Sequence, residues 1–571
     1  MTGDGPKPSF PRGDDTVQPM ASTGQLAESG LGRVLGIEGT AWAASAAVYD
    51  VERDEVTIET DAYEPDSGGI HPREAAEHMS DAVPTVVERA LEGCDYDVDA
   101  VAFSRGPGLG PCLRIAGTAA RAVSQRLDVP LVGVNHMVAH LEIGRHRSGF
   151  ENPVCLNASG ANAHVLAYRN GKYRIVGETM DTGVGNAIDK FTRHLGWSHP
   201  GGPKVESHAR DGEYLGLPYV VKGMDFSFSG ITSAAKAAVD DGEPVEDVCR
   251  GLEETVFAML TEVSERALSL TGRTELVLGG GVGQNDRLQR MLGEMCDQRG
   301  AELFVPEDRF LRDNAGMIAV LGAKMAAAGD TLAVEESQID SDFRPDEVPV
   351  TWREAEGETE NSVGKTRTDR RESTTQQGAE ATVEFVDGRV VKRRLPRTYR
   401  HPALDERLRR ERTRQEARLT SEARRNGVPT PVVRDVDTTE ATITFEFVGD
   451  CDLREALDAE HARAVGRHLA TLHDAGIVHG DPTTRNVRVT AADTDEDTAR
   501  TYLIDFGLGY ASRDEEDHAV DLHVFGRSLA GTADDADGLR AAAETAYRET
   551  SERPDAVLGR LRSVEGRGRY Q

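Results

Sequence analysis

Short apolar runs closed by glycine and small polar residues recur along roughly the first 340 positions. Val34-Leu35-Gly36-Ile37 reads as a buried strand, Glu38-Gly39-Thr40 as the turn that ends it, and alternating segments continue to about Thr60. Pro153-Val154-Cys155-Leu156 starts the same outline again, through the small-residue turn Asn157-Ala158-Ser159-Gly160-Ala161-Asn162, the strand Ala163–Tyr168, the turn Arg169-Asn170-Gly171-Lys172 and a further strand. A structural duplication is expected, although no residue-level repeat is visible. Helical periodicity at Arg73–Leu91 and Ile115–Leu127 separates the copies. Strands alternating with helices predict an α/β architecture of two similar lobes.

The pattern breaks after about Asp342. The stretch from Glu354 to Ser373 is polar, charged and almost free of apolar residues, which is the composition of a linker. The expected division is an N-terminal extension over 1–32, a first domain over 33–345, a linker over 346–374 and a second domain over 375–571. The extension is rich in Gly, Pro, Ser, Thr and Asp and is expected to be disordered.

Charge changes the picture next. The 571 residues hold 66 Lys and Arg against 98 Asp and Glu, a net charge of −32 spread along the whole chain. Dense surface carboxylates suit a high-salt interior, where screening removes their repulsion, and point to a halophilic archaeon. Six scattered cysteines without a Cys-x-x-Cys pair argue against a disulfide framework or a zinc knuckle and fit a cytoplasmic location. No apolar run approaches a membrane span, and the N-terminus has no apolar signal core.

Val134-Asn135-His136-Met137-Val138-Ala139-His140-Leu141 sets two imidazoles four residues apart, on one face of a helix that Asn135 is placed to cap. Such a pair can clasp a metal or simply sit in a core. Met137 stands where a zinc peptidase needs its glutamate base, so that chemistry lacks a proton acceptor. Gly177–Lys190 mixes glycines with carboxylates, and His199-Pro200-Gly201-Gly202-Pro203-Lys204-Val205-Glu206 is a rigid turn with an acid behind it. Leu276-Val277-Leu278 enters the loop Gly279–Asn285, whose bare amides suit a phosphate or ribose as well as a tight turn. Asp313 precedes a helix.

These segments, with Phe226-Ser227-Phe228-Ser229-Gly230 and Asp313-Asn314-Ala315, resemble the TsaD-like tRNA threonylcarbamoyladenosine transferases, the catalytic subunit of KEOPS, over about residues 33–345. The resemblance implies an actin/Hsp70-like fold of two ribonuclease-H-like lobes. It implies that His136, His140 and Asp313 hold one metal, iron or zinc. It also implies that Asn157, Ala158, Ser159, Gly160, Ala161, Asp189, Gly202, Glu206 and Asn285 hold threonylcarbamoyl-adenylate. The acyl group then passes to the exocyclic amine of the tRNA adenosine 3′ of the anticodon, in tRNAs reading codons that begin with A. Relatives often carry a metal-ligating tyrosine where Asn157 stands, so either Asn157 or water would complete the shell.

The last third carries a different chemistry. Gln377-Gly378-Ala379-Glu380-Ala381 precedes Val390-Val391-Lys392, a short phosphate-covering loop and a strand lysine. Glu416, in the helical run Arg409–Ala423, is placed to pair with Lys392, and Glu446-Phe447 ends an apolar strand as a hinge beside adenine. Asp481 of His479-Gly480-Asp481 is the expected catalytic carboxylate, with Asn486 and Asp505 holding Mg²⁺ for ATP. With Tyr399-Arg400-His401-Pro402 and Asp517–Leu522, the stretch resembles the small atypical kinase of KEOPS, an α+β bilobal fold. The first loop glycine is missing, no Ala-Pro-Glu follows the Asp-Phe-Gly, and Pro482 and Arg485 depart from the usual Leu and Ser.

Thirteen Lys/Arg and five Asp/Glu lie between Lys392 and Arg425. With Arg567 and Arg569, they are the expected contact with a tRNA backbone, the alternative being a solvated helix with internal ion pairs. The expected whole is a bifunctional tRNA-modifying enzyme working with other KEOPS subunits. A Ser/Thr kinase on a metal-binding scaffold and a metallopeptidase are the competing readings.

Overall fold

The computed structural model describes residues 26, 29–63, 72–353, 374–378, 381–386, 388–490 and 500–565. Strands β1 (Arg33–Glu38), β2 (Ala43–Asp50), β3 (Glu55–Ala62), β4 (Ala100–Gly106) and β5 (Leu131–Asn135) form one sheet in the order β3-β2-β1-β4-β5. Strands β6 (Val154–Ala158), β7 (Ala163–Arg169) and β8 (Lys172–Glu178) follow, then the ribbon β9 (Val221–Lys222) and β10 (Asp225–Phe226), then β11 (Glu275–Gly279) and β12 (Glu302–Phe304). The second five-stranded sheet runs β8-β7-β6-β11-β12. In both sheets the first three strands pair antiparallel and the last two join in parallel. The duplication legible in the residue pattern is therefore a repeat of strand order and sense, the actin-like arrangement of two ribonuclease-H-like lobes.

The first domain extends past its expected end. Val348, Val350 and Trp352 are buried in the same apolar cluster as Tyr168 and Tyr173, and Val350 donates its N–H to Gly171 O at 2.9 Å. Arg353 lies over the Tyr168 ring at 3.8 Å. Residues 346–353 thus belong to the lobe rather than to the linker, because three apolar side chains outweigh the surrounding charge. At the other end Leu26 is buried against this cluster as well, although it falls in the stretch expected to be disordered. The remainder of the linker, 354–373, lies outside the described residues.

In the second domain, β13 (Thr374–Gln377), β14 (Thr382–Val386), β15 (Arg389–Arg393), β16 (Val433–Asp437) and β17 (Thr442–Glu446) form a sheet ordered β13-β14-β15-β17-β16. The helix Pro402–Arg425 accompanies it, and a largely helical lobe built on Ala459–Asp474, Glu515–Thr532, Ala536–Thr550 and Pro554–Glu565 completes the kinase-type fold.

The two domains share one helix. Val245–Thr271 is buried on nearly every face, including Glu254, Glu262, Glu265 and Arg266. Apolar residues on one side enter the second lobe of the first domain, and carboxylates on the other meet the kinase-type domain. Glu262 accepts from Arg400 at 2.6 Å, Arg412 at 3.2 Å and the Tyr219 hydroxyl at 2.5 Å. Glu265 pairs with Arg397 at 3.1 Å and accepts from the Tyr399 hydroxyl at 3.0 Å. Across the helical lobe, Lys222 pairs with Asp517 at 2.7 Å and Arg527 with Asp225 at 2.7 Å.

Candidate active sites and the family they belong to

The histidine pair opens the helix His136–Ser148, and the Asn135 side chain caps it by accepting from the N–H groups of Met137 and Val138. Both imidazoles are buried, with ring centres 4.8 Å apart. Asp313 Oδ1 sits 3.2 Å from His136 Nε2 and 3.5 Å from His140 Nε2, and one ligand atom from each of the three lies within 4.8 Å of the others. Glu38, at the end of β1, holds His136 Nδ1 at 3.1 Å. Burial pushes His136 down, but Glu38 and Asp313 outweigh it and raise the imidazole to about 10. Burial lowers His140. Asp313 is held well below the carboxylate range, because His136 overcomes the effect of its burial.

Two carboxylates around one buried imidazole demand a positive charge, which a proton supplies when no metal does. Among the described residues neither ring nitrogen of His140 makes a hydrogen bond, Nε2 having only the long approach to Asp313. Such orphaned donors are costly unless something else uses them, and the chemistry of this set fits a cation. Asn157 is buried beside them, its Nδ2 2.9 Å from Met137 Sδ and its Oδ1 without a hydrogen-bond partner among the described residues.

The glycine loops close around the Asn157–Ala161 turn. Gly280 has φ +85°, and a Cβ there would stand 2.4 Å from Ala158 O and 2.6 Å from Asn157 Oδ1. A Cβ on Gly183 would meet Gly160 O at 2.4 Å. Glycine is therefore the residue that lets three backbone segments meet here. Asp189 accepts from Gly201 N at 2.8 Å and faces His199 Nδ1 at 3.1 Å, so it ties its helix to the Gly202 turn. Asn285 caps the next helix through Oδ1 and donates Nδ2 to Glu253 at 3.0 Å, while Glu206 approaches the Asp286 N–H at 3.4 Å. Asp181 accepts from Ser227 Oγ at 2.5 Å and from the N–H groups of Phe228 and Ser229, both at 3.1 Å, which docks the Gly177–Lys190 loop on the Phe226–Gly230 segment.

In the kinase-type domain, Lys392 Nζ lies 2.9 Å from Glu416 Oε1 and 2.8 Å from Asp505 Oδ2. Asn486 Nδ2 donates to Asp481 Oδ2 at 2.7 Å. These groups line a cavity of about 260 Å³, with Glu446 and Phe447 at its edge. Gly378 closes onto Ala381 O at 2.8 Å, and Ala379 and Glu380 lie outside the described residues. Asp521 fixes the catalytic loop by accepting from His479 N at 2.7 Å and Gly480 N at 2.8 Å. Gly480 has φ +82°, and a Cβ would stand 2.3 Å from Leu508 O, so the turn requires glycine there.

The family-level comparisons agree with these two halves. Residues 53–320 match the model "TsaD: tRNA N6-adenosine threonylcarbamoyltransferase", and residues 355–541 match the "Lipopolysaccharide kinase (Kdo/WaaP) family". Full-length relatives are each named "Probable bifunctional tRNA threonylcarbamoyladenosine biosynthesis protein". That of Haloarcula marismortui is 71% identical, covering 94% of this chain and 100% of its own. Those of Halobacterium salinarum and Methanospirillum hungatei are 70% and 51% identical, covering 94% and 95% of this chain and 99% of each relative. The chain belongs to this bifunctional family.

As a bifunctional tRNA threonylcarbamoyladenosine biosynthesis protein, it joins a transferase domain to a kinase-type domain, the fused KEOPS arrangement. The transferase family is metal-dependent, and kinase-type domains bind ATP with Mg. Among the described residues, no helix is long and apolar enough to cross a membrane.

Three residues escaped the reading of the sequence. Glu38 reads by sequence as part of a turn, yet it orients His136. Glu253 is buried behind Asn285, and burial raises its carboxyl to about 7. Arg266 leaves the transferase helix and ion-pairs with Asp481 of the kinase site, while Arg485 reaches back to Ser269 on the same helix. The sequence carried no signal for this: the charges of Val245–Thr271 gather on one side, opposite its apolar residues, as on an ordinary solvent-facing helix.

The basic run needs a correction. Lys392, Arg394, Arg397, Arg400 and Arg412 are buried and serve carboxylates inside the protein. Arg409 pairs with Asp405 at 2.7 Å and Arg410 with Glu406 at 2.7 Å. Composition alone could not separate inward from outward guanidiniums. Arg567 and Arg569 lie outside the described residues.

Proposed function

We propose that the transferase domain passes a threonylcarbamoyl group from threonylcarbamoyl-adenylate to the exocyclic amine of the adenosine 3′ of the anticodon, in tRNAs reading codons that begin with A. The observation that carries this is the buried His136–His140–Asp313 cluster beside three glycine-tightened loops. His136, His140 and Asp313 would hold one iron or zinc ion, with Asn157 or water completing the shell. The metal, when bound, supplies Lewis-acid polarisation of an acyl oxygen. The chain's own residues do the positioning. The Asn157–Ala161 turn, with Ala158, Ser159 and Gly160, lies against the donor. Asp189, Gly202, Glu206 and Asn285 hold its nucleoside and phosphate. Because the donor is already activated, orientation and charge stabilisation are the main demands on the site.

In the second domain, Lys392 oriented by Glu416 meets the ATP phosphates under the Gln377–Ala381 loop. Asn486 and Asp505 hold Mg²⁺, and Asp481 orients the acceptor, whether a hydroxyl or water. The domain regulates the transferase within a complex that includes other KEOPS subunits, in the cytoplasm. The working boundaries are 33–353 for the transferase and 374–571 for the kinase.

Paired variants test the division of labour. Asp505→Ala is expected to abolish ATP turnover while leaving the affinity of the full chain for a non-reactive adenylate mimic unchanged. Asp189→Ala is expected to weaken that affinity at least tenfold and leave ATP turnover intact. Loss of both activities in either variant would contradict two separate sites.

A further inference from the structure

The helix Pro402–Arg425 divides its arginines between two faces. Arg412 points inward to Glu262, whereas Arg410, Arg414, Arg418 and Arg425 are exposed. Their spacings of four, four and seven residues are one, one and two helical turns, so the four lie in one stripe, roughly 22 Å long. Arg410 shares Glu406 at 2.7 Å, and both partners are about half exposed, so the pair holds that guanidinium only weakly. Among the described residues Arg414, Arg418 and Arg425 have no carboxylate within ion-pair distance. Along the helix Glu411 lies beside the stripe, Glu422 falls between Arg418 and Arg425, and Glu416 is buried on the opposite face.

The start of this helix is pinned beside the transferase site. Arg287, two residues beyond Asn285, donates to Tyr399 O at 3.1 Å. The His401 ring stacks on Tyr214 with centres 4.2 Å apart, and Arg407 donates to Leu217 O at 3.2 Å. The N-terminal end of the helix that carries the stripe therefore lies near Asn285, on the transferase domain.

We propose that Arg410, Arg414, Arg418 and Arg425 form a phosphate-binding track for the tRNA substrate, carried by the kinase-type domain. The track rests on the tRNA-transferase reading and extends it. Guanidiniums in a row suit successive phosphates, which give affinity and register without reading sequence.

The test uses the full chain and an unmodified tRNA transcript. The variant R410Q/R414Q/R418Q/R425Q is compared with R126Q/R463Q/R467Q/R562Q, which removes four exposed arginines elsewhere. Binding is titrated over a range of KCl. Loss of four phosphate contacts should weaken tRNA binding at least tenfold at the lowest salt. It should also make the slope of log K against log salt shallower by about three. The KM for tRNA should rise, with ATP turnover and affinity for an adenylate mimic unchanged. Equal affinity and slope in wild type and stripe variant would overturn the track, as would an equal loss in the control. A stripe variant that binds tRNA normally but loses self-association would make this face a protein contact and also overturn it. If wild type forms no modified nucleoside, the transferase reading fails; if it does and the stripe variant binds normally, only the track fails.

Discussion

Glu253 shows how one buried carboxyl can set a pH response. Its carboxyl is raised from 4.5 to about 7, chiefly by burial, and it accepts the Asn285 amide. A raised folded-state value means that the folded protein holds the proton more tightly than the unfolded chain. The stabilisation is present below about 4.5 and is lost as pH rises toward 7. Glu253→Gln keeps an acceptor for Asn285 but cannot ionise. Denaturation at pH 5 and pH 8 should therefore show wild type losing roughly 2–3 kcal/mol more than the variant over that interval. Equal pH dependence in the two proteins would mean that Glu253 is not buried as described. At this scale the sequence was most legible where a residue type has few uses. A His-x-x-x-His pair, an Asp-Phe-Gly and a strand lysine announce themselves, and the structure places His136 with His140 and Asp313, and Lys392 with Glu416. Glu38 and Glu253 were silent, because a lone glutamate carries no spacing signal and its meaning comes from partners about 100 and about 30 residues away.

The element that most shapes the molecule is Val245–Thr271. Its carboxylates gather arginines from the other domain, so the helix is both core and interface. Glu262→Ala would leave Arg400 and Arg412 buried without this acceptor. The expected cost is about 3–5 kcal/mol, read as a lowered denaturation midpoint in high salt. A loss under 1 kcal/mol would show that the two guanidiniums find water or another acceptor. Strand order was legible in outline, since turn residues and apolar runs mark strand ends. The role of this helix was not, because its second partner is encoded more than 130 residues further on, in Arg397, Arg400 and Arg412.

For the whole molecule, a net charge of −32 means self-repulsion unless ions screen it. The Debye length is about 3 Å at 1 M salt and about 10 Å at 0.1 M. The thermal midpoint should fall markedly when KCl is lowered from 3 M to 0.1 M; an unchanged midpoint would contradict salt adaptation. The two domains also share more than a linker, since Arg266 of one meets Asp481 of the other. That join was beyond sequence reading, because a linker by composition implies independent halves. The central claim is that a buried cation site next to glycine-tightened loops transfers an activated acyl group to tRNA. Its most direct test is nucleoside mass spectrometry of unmodified tRNA incubated in high salt with the full chain, the threonylcarbamoyl-adenylate donor and partner subunits. Wild type should yield threonylcarbamoyladenosine, and His136→Ala and His140→Ala should reduce it at least a hundredfold; undiminished product from both variants would contradict the account.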